Sequence, residues 1–202
     1  MTEPGSASIA SLAFEAARAE DAAALSALFE RAGSGCHCRY WHFPGDKNAW
    51  LDRLAHGADQ NARELAEELG TDLLAPHGMI ARRGSRVVGW MKLTRAERLQ
   101  KLYTTRPYKN LECFAGERAD VLSVGCFLVD PAERRRGVAR GLLRAGVREA
   151  ARRGASAIEA FPRRGEHLGD EEVWMGPVSI FEAEGFAIVN QFTPYPVLRL
   201  EL

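Results

Sequence analysis

At 202 residues, with 46% hydrophobic and 27% charged residues, the chain has the balance of a globular protein rather than a disordered one. Lys+Arg and Asp+Glu both number 27, a formal net charge of zero, which removes the broad basic excess that general nucleic-acid binding rests on. No apolar run approaches the roughly 18 residues of a membrane span. The start, MTEPGSASIASLAFEA, lacks the basic and then apolar stretch of a secretory signal, and four cysteines in so long a chain do not read as a disulfide framework. A cytoplasmic protein folded as one domain over 1–202 is expected, since no internal repeat or linker divides the chain.

Leu12-Ala13-Phe14-Glu15 suits a short edge strand, and Asp21 is placed to cap a helix over 22–31. Leu25, Leu28 and Phe29 share one face of that helix, which Gly33-Ser34-Gly35 stops. Next comes CHCRYWHFPGD, dense in cysteine, histidine and aromatics and without a period. Helical segments follow from about Asp46, through Trp50, Leu51 and Leu54, and from about Asn61 to Leu69. Residues 77–82 and 86–93 read as a hairpin across Arg83-Gly84-Ser85. Residues 95–103 read as a short helix or irregular crossing, and 104–120 as a loop.

VLSVGCFLV, residues 121–129, is almost wholly apolar, as a strand buried on both faces should be. Asp130-Pro131 ends it. An amphipathic helix over 137–153 follows and stops at Gly154, then a short strand at 157–160. After an acidic, glycine-containing loop, Pro177 opens a helix to Glu184 that Gly185 caps, and strands at 186–192 and 197–202 finish the chain.

The most informative stretch is Arg134-Arg135-Arg136-Gly137-Val138-Ala139, at the turn from the apolar strand into the helix. Backbone N–H groups and the helix dipole favour an anion there. Gly137 lets a pyrophosphate approach the backbone, Ala139 keeps the first turn slim, and the arginines can add charge-assisted contacts. Neither the Gly-Lys-Ser/Thr ending of a P-loop nor a G-x-G-x-x-G turn is present.

On these residues the chain resembles the GNAT superfamily of N-acetyltransferases, whose cofactor motif is Arg or Gln, two variable residues, Gly, one variable residue, then Gly or Ala. Arg134, Gly137 and Ala139 fit it, and FEAEGF (181–186) and RVVGW (86–90) look like further family elements. The specific motifs lie in 121–186, the expected cofactor-binding core. The early Cys-x-Cys is similar to that of a bacterial subgroup. The resemblance implies an α/β fold with a mixed, mostly antiparallel sheet of six to seven strands flanked by helices. It also implies acetyl transfer from acetyl-CoA to a small-molecule or peptide amine by direct attack in a ternary complex. Phe127, Leu128 and Val129 would pair with the pantetheine arm, and Arg134, Arg135, Arg136, Gly137, Val138, Ala139 and Arg140 would surround the pyrophosphate. Splaying between the strand ending at Val129 and that near Ile158 would admit the cofactor. Many family members dimerise, which makes a homodimer an option.

The position where many members carry a thiolate-protonating tyrosine matches Phe181 here, which leaves Ser179 or Tyr195 as the donor, or an unassisted thiolate. That departure keeps open a non-catalytic acyl-CoA-binding or sensing module. Glu159 is the first candidate for a general base, against a plain ion-paired strand residue. Glu171, Glu172 and His167 lie in the loop that can roof the acceptor. Cys126 reads as a small core residue, and Cys36-His37-Cys38 with His42 as an aromatic-lined wall rather than a metal site, for want of a second ligand pair. The arginines at 136, 140, 144, 148 and 152 line one helix face, read as solvated.

Overall fold

The computed structural model describes residues 11–71, 77–170 and 172–202. One seven-stranded sheet organises them, in the order β1-β2-β3-β4-β5-β7-β6. Its strands are β1 (Leu12–Ala16), β2 (Gly78–Arg83), β3 (Arg86–Arg95), β4 (Val121–Val129), β5 (Ala157–Ala160), β6 (Ala187–Asn190) and β7 (Val197–Glu201). Every neighbouring pair is antiparallel except β4 with β5. The mixed, mostly antiparallel α/β architecture expected from the sequence is therefore the one found.

Helices cover both faces. Helix α5 (Val138–Arg152) and the short α6 (Val178–Glu182) pack on one, where Leu142, Leu143 and Phe181 meet Met79, Val88, Met91, Leu93 and Phe127. Gly146 sits on Met91, whose Cε would lie 2.5 Å from any Cβ there. Helices α1 (Ala22–Arg31) and α3 (Ala58–Leu69) cover the other face, placing Leu25, Leu28, Phe29, Leu65 and Leu69 against Ile80, Val87 and Trp90. The alternation of side chains along β3 assigns its residues to these two cores. Helix α2 (Lys47–His56) is capped by Asp46, whose carboxylate accepts from Ala49 N at 2.9 Å. Residues 96–103 form a 3-10 turn that runs into α4 (Gln100–Tyr103).

Two expectations are corrected. Asp21 does not cap α1: its carboxylate accepts from Arg18 N at 2.8 Å and pairs with Arg82, because a 3-10 turn at Ala19–Asp21 precedes the helix. Cys126 is not a simple core thiol: it is disulfide-bonded to Cys38, with Cα atoms 6.5 Å apart across 88 residues of sequence. Folding brings them together, since β4 and the loop before α2 meet on the α1/α3 face. Among the described residues no group of three or more His, Cys, Asp or Glu is placed to hold a metal, and no helix is long and apolar enough to cross a membrane.

Candidate active site at the β4–β5 splay

Strands β4 and β5 pair only through Val121–Ser123 with Ala157–Glu159. From Val124 to Val129, β4 runs on with no strand partner on that side among the described residues, so a wedge opens in the middle of the sheet. A bulge marks the same point on the other side. Val124 pairs with Leu93 and Cys126 with Lys92, which leaves Gly125 as the extra residue. A Cβ at Gly125 would lie 2.9 Å from Lys92 Cγ, so only glycine fits under that side chain. Such a bulge bends and twists its strand, re-aiming the residues beyond it.

Beyond β4 the chain turns sharply. Asp130 accepts from Ala132 N at 3.1 Å and is held by Arg31 at 2.9 Å and Arg86 at 2.6 Å. Burial opposes its ionisation, but these hydrogen bonds outweigh burial and hold its carboxyl below the ordinary value. Arg135 (φ 60°) and Gly137 (φ 80°) both adopt left-handed conformations. A non-glycine residue held there is a local strain of the kind that collects at functional turns. Gly137 precedes α5 without a side-chain cap, and no atom lies within 4 Å of where its Cβ would stand. Space is thus open beside the start of a fifteen-residue helix, whose first N–H groups take no partner within the helix.

The arginines around this turn differ. Arg134 pairs with Asp170 at 2.5 Å and reaches back to Val129 O at 3.4 Å. Arg135 is exposed and has no ion-pair partner among the described residues. Arg136 lies 3.7 Å from Glu133. Arg140 and Arg144 clasp Glu184 beyond α6 at 2.7 and 2.9 Å, tying α5 to the end of that helix. Arg152 pairs with Glu149, so most of the arginine stripe is a solvated, ion-paired face.

On the open flank of β4, Phe127 N donates to Trp174 O at 2.7 Å. One segment, through Asp170 and Trp174, therefore engages both Arg134 and the strand backbone assigned to a pantetheine arm. Glu172 accepts from Gly169 N at 3.0 Å and pairs with Arg163 at 2.6 Å, and Gly176 (φ 90°) lies against Phe127 and Phe181. His167 is exposed, and Glu171 lies outside the described residues.

The candidate catalytic groups are not brought together. Ser179 is exposed on α6, whereas Phe181 is fully buried between Phe127 and Phe186. Glu159 is fully buried and accepts hydrogen bonds from both Arg118 nitrogens (3.0 and 2.7 Å), from Arg199 and from the Tyr103 hydroxyl. Four donors occupy both its oxygens, which leaves none for a substrate proton. Burial first, and then the Glu159 charge, raise the Tyr103 hydroxyl well above its usual pKa. Tyr195 packs with the aromatic cluster around Phe161.

The opposite flank holds groups that sequence reasoning missed. Lys92 is buried in β3 and donates to Glu68 of α3 at 2.6 Å. Arg39 also binds Glu68, and His77 Nδ1 lies 3.5 Å from it. Desolvation pulls the Lys92 ammonium down to about 8 despite that carboxylate. His42 is lowered to about 3, by burial and then by Lys92, with Arg39 and Arg98 acting in the same direction. The loop carrying these groups is a packed wall, as its aromatics suggest. Trp41 stacks on Trp174 at 5.7 Å, Tyr40 meets Trp50 at 5.5 Å, and Lys101 sits 4.4 Å over Tyr40. Trp90 Nε1 donates to Cys38 Sγ at 3.2 Å, beside the disulfide.

Residues 46–167 match the family model described as the acetyltransferase (GNAT) family. No curated protein sequence matches the chain. Solved structures share its fold. The PaiA N-acetyltransferase from Thermoplasma acidophilum, solved in complex with coenzyme A, is 10% identical with a TM-score of 0.56, over 95% of this chain and 99% of that one. The GNAT domain of S. lividans PAT is 18% identical at a TM-score of 0.56, over 94% and 89%. A GCN5-related N-acetyltransferase from Kribbella flavida is 19% identical at 0.54, over 95% and 98%.

Proposed function

From its membership of the GNAT acetyltransferase family, to which the chain belongs, we propose that this protein is an acetyl-CoA-dependent N-acetyltransferase built as one domain and acting in the cytoplasm. The observation that carries the reading is the loss of β4–β5 pairing after Ser123, which ends beside an uncapped helix start in open space. The CoA complex of the Thermoplasma acidophilum relative adds support for the donor. Phe127, Leu128 and Val129 would bind the pantetheine arm by their backbone. Gly137, Val138 and Ala139 would present N–H groups to the pyrophosphate, with Arg134, Arg135, Arg136 and Arg140 around it.

The thioester supplies an activated acyl carbon: the neutral acceptor nitrogen bonds to it, the C–S bond breaks, the sulfur leaves as thiolate, and the surplus proton of the nitrogen passes to that thiolate or to solvent water. The chain's own work is to bind, to orient and to keep water out. Trp41, Trp174 and the Cys38–Cys126 pair close the flank on which the acceptor would enter. Neither Phe181 nor the saturated Glu159 can move a proton for this reaction. We therefore assign Phe181 no part in protonating the thiolate and give Glu159 a structural role; Ser179, exposed on α6, is the candidate donor that is left. The acceptor must then arrive, or become, neutral through its surroundings.

Buried Phe181 and the Trp174 carbonyl on Phe127 favour a second reading, a non-catalytic acyl-CoA-binding module. Saturating acetyl-CoA at 100 times its Kd should stabilise the fold by about 2.7 kcal/mol under either reading, and an unchanged Tm would sink both. Free-thiol release with a panel of amines separates them: turnover supports the enzyme, binding without turnover the module.

A further inference from the structure

We propose that the acceptor is an amine that also carries an acidic group, a carboxylate or a phosphonate-type oxyanion, and that Arg98 binds that group. This inference rests on the acetyltransferase reading. Lys92 lies opposite Cys126 in the β3–β4 register, next to the bulge where the wedge opens. Its ammonium, Arg39 and Arg98 converge on a single carboxylate, Glu68, with Arg98 standing off at 3.9 Å. Glu64 takes Arg39 and Arg53. Among the described residues, then, four cations (Arg39, Arg53, Lys92 and Arg98) share two carboxylates.

Arg98 is the open member of the set: its side chain is 39% exposed against 1% for Lys92, and it makes no hydrogen bond to Glu68 at that distance. A guanidinium so placed suits a planar or tetrahedral oxyanion. A second observation points the same way. Trp41 Nε1 and His42 Nε2 are sealed from water with no hydrogen-bond partner in the protein. An indole N–H can only donate, so the Trp41 nitrogen is suited to an oxygen that the chain does not supply.

The same electrostatics serves the reaction. A surplus of positive charge beside a bound amine disfavours its ammonium form and so helps it shed its proton, since Glu68 is already committed to Lys92 and Arg39. His42, beside the same groups, is lowered first by burial and then by the Lys92 charge. Polyamines, whose further charges would have to sit beside Lys92 and Arg98, are disfavoured by that charge.

The test is thiol release from acetyl-CoA with matched acceptors: free amino acids, 2-aminoethylphosphonate, the corresponding amines without the acid, and spermidine. Acid-bearing amines should exceed their matched partners at least tenfold in kcat/KM, with the carboxylate and phosphonate arms showing which oxyanion is preferred. In Arg98→Gln that ratio should collapse toward one through a raised KM, and Arg98→Lys should recover part of it. The acetyl-CoA-induced thermal shift of each variant keeps a folding defect apart from a recognition defect. Matched or spermidine acceptors that do as well, a ratio indifferent to Arg98→Gln, or binding of acetyl-CoA with no panel amine acetylated would each overturn the proposal. Absence of any acetyl-CoA shift in the unaltered protein would instead overturn the acetyltransferase reading beneath it.

Discussion

The two halves of β4 behave as different materials. Leu122 and Ser123 are knitted on both sides, and around them Ser123, Tyr103, Glu159, Arg118 and Arg199 form a closed polar network. Val124–Val129 pairs on one side only and turns its other edge to a loop. The first half is satisfied within the protein; the second keeps backbone groups exchangeable. The contrast supports the proposal that function lies at the half whose partners can be traded, with Glu159, on the β5 side of the closed half, in a structural role.

The largest effect should come from breaking the closed half. Glu159→Gln leaves two arginines facing a neutral amide, a loss of about 3–5 kcal/mol on the scale of a broken buried pair, read by urea unfolding. A loss below about 1 kcal/mol would mean the network is not closed. At temperatures where the variant is folded, its acetylation rate should keep the parent's pH profile. At the open half, the Cys38–Cys126 bridge should contribute about 2–4 kcal/mol. Reduction, or Cys126→Ser, should lower stability by that amount in oxidant-free buffer, and equal stability with and without reductant would show the bridge unformed.

Gly137→Val forces a branched side chain into a left-handed conformation, costing about 1–2 kcal/mol, and fills the space before α5. Acetyl-CoA affinity by calorimetry should fall with it. Smaller still is Asp170→Asn, which releases Arg134 from an exposed pair: acetyl-CoA should bind roughly two- to fivefold tighter, and weaker binding would deny that Asp170 competes for that arginine. A further effect is expected from pH. The folded His42 pKa of about 3 lies below its unfolded value near 6.5. Its contribution is therefore complete above about pH 6.5 and declines as pH falls toward 3. His42→Asn should flatten the Tm profile between pH 6.5 and 5, with Asp130, whose carboxyl is also lowered, keeping some slope below that.

The elements of the proposed donor half were largely legible in the sequence because local grammar dictates them. An apolar nine-residue run, a proline stop, a glycine before an amphipathic helix and the Arg134-to-Ala139 spacing are all neighbours in the chain. Helix α1 and the β2–β3 hairpin were readable for the same reason. The other flank depends on contacts between distant residues: Cys38 with Cys126, Lys92 with Glu68, Arg31 with Asp130. One signal was nonetheless present, a lysine inside VVGWMKL, since a charge within an apolar strand demands a partner. Asp21 was misassigned because a capping residue and an ion-pairing residue look alike until the neighbouring strand is in place.

The stack of Trp41 on Trp174 has one more consequence. Trp174 presents its carbonyl to Phe127 and its ring to Trp41, so a ligand that takes the Phe127 N–H displaces the backbone of a residue whose indole is stacked. The molecule thus carries its own optical gauge: tryptophan emission would register occupancy of the wedge without any label, before a turnover has taken place.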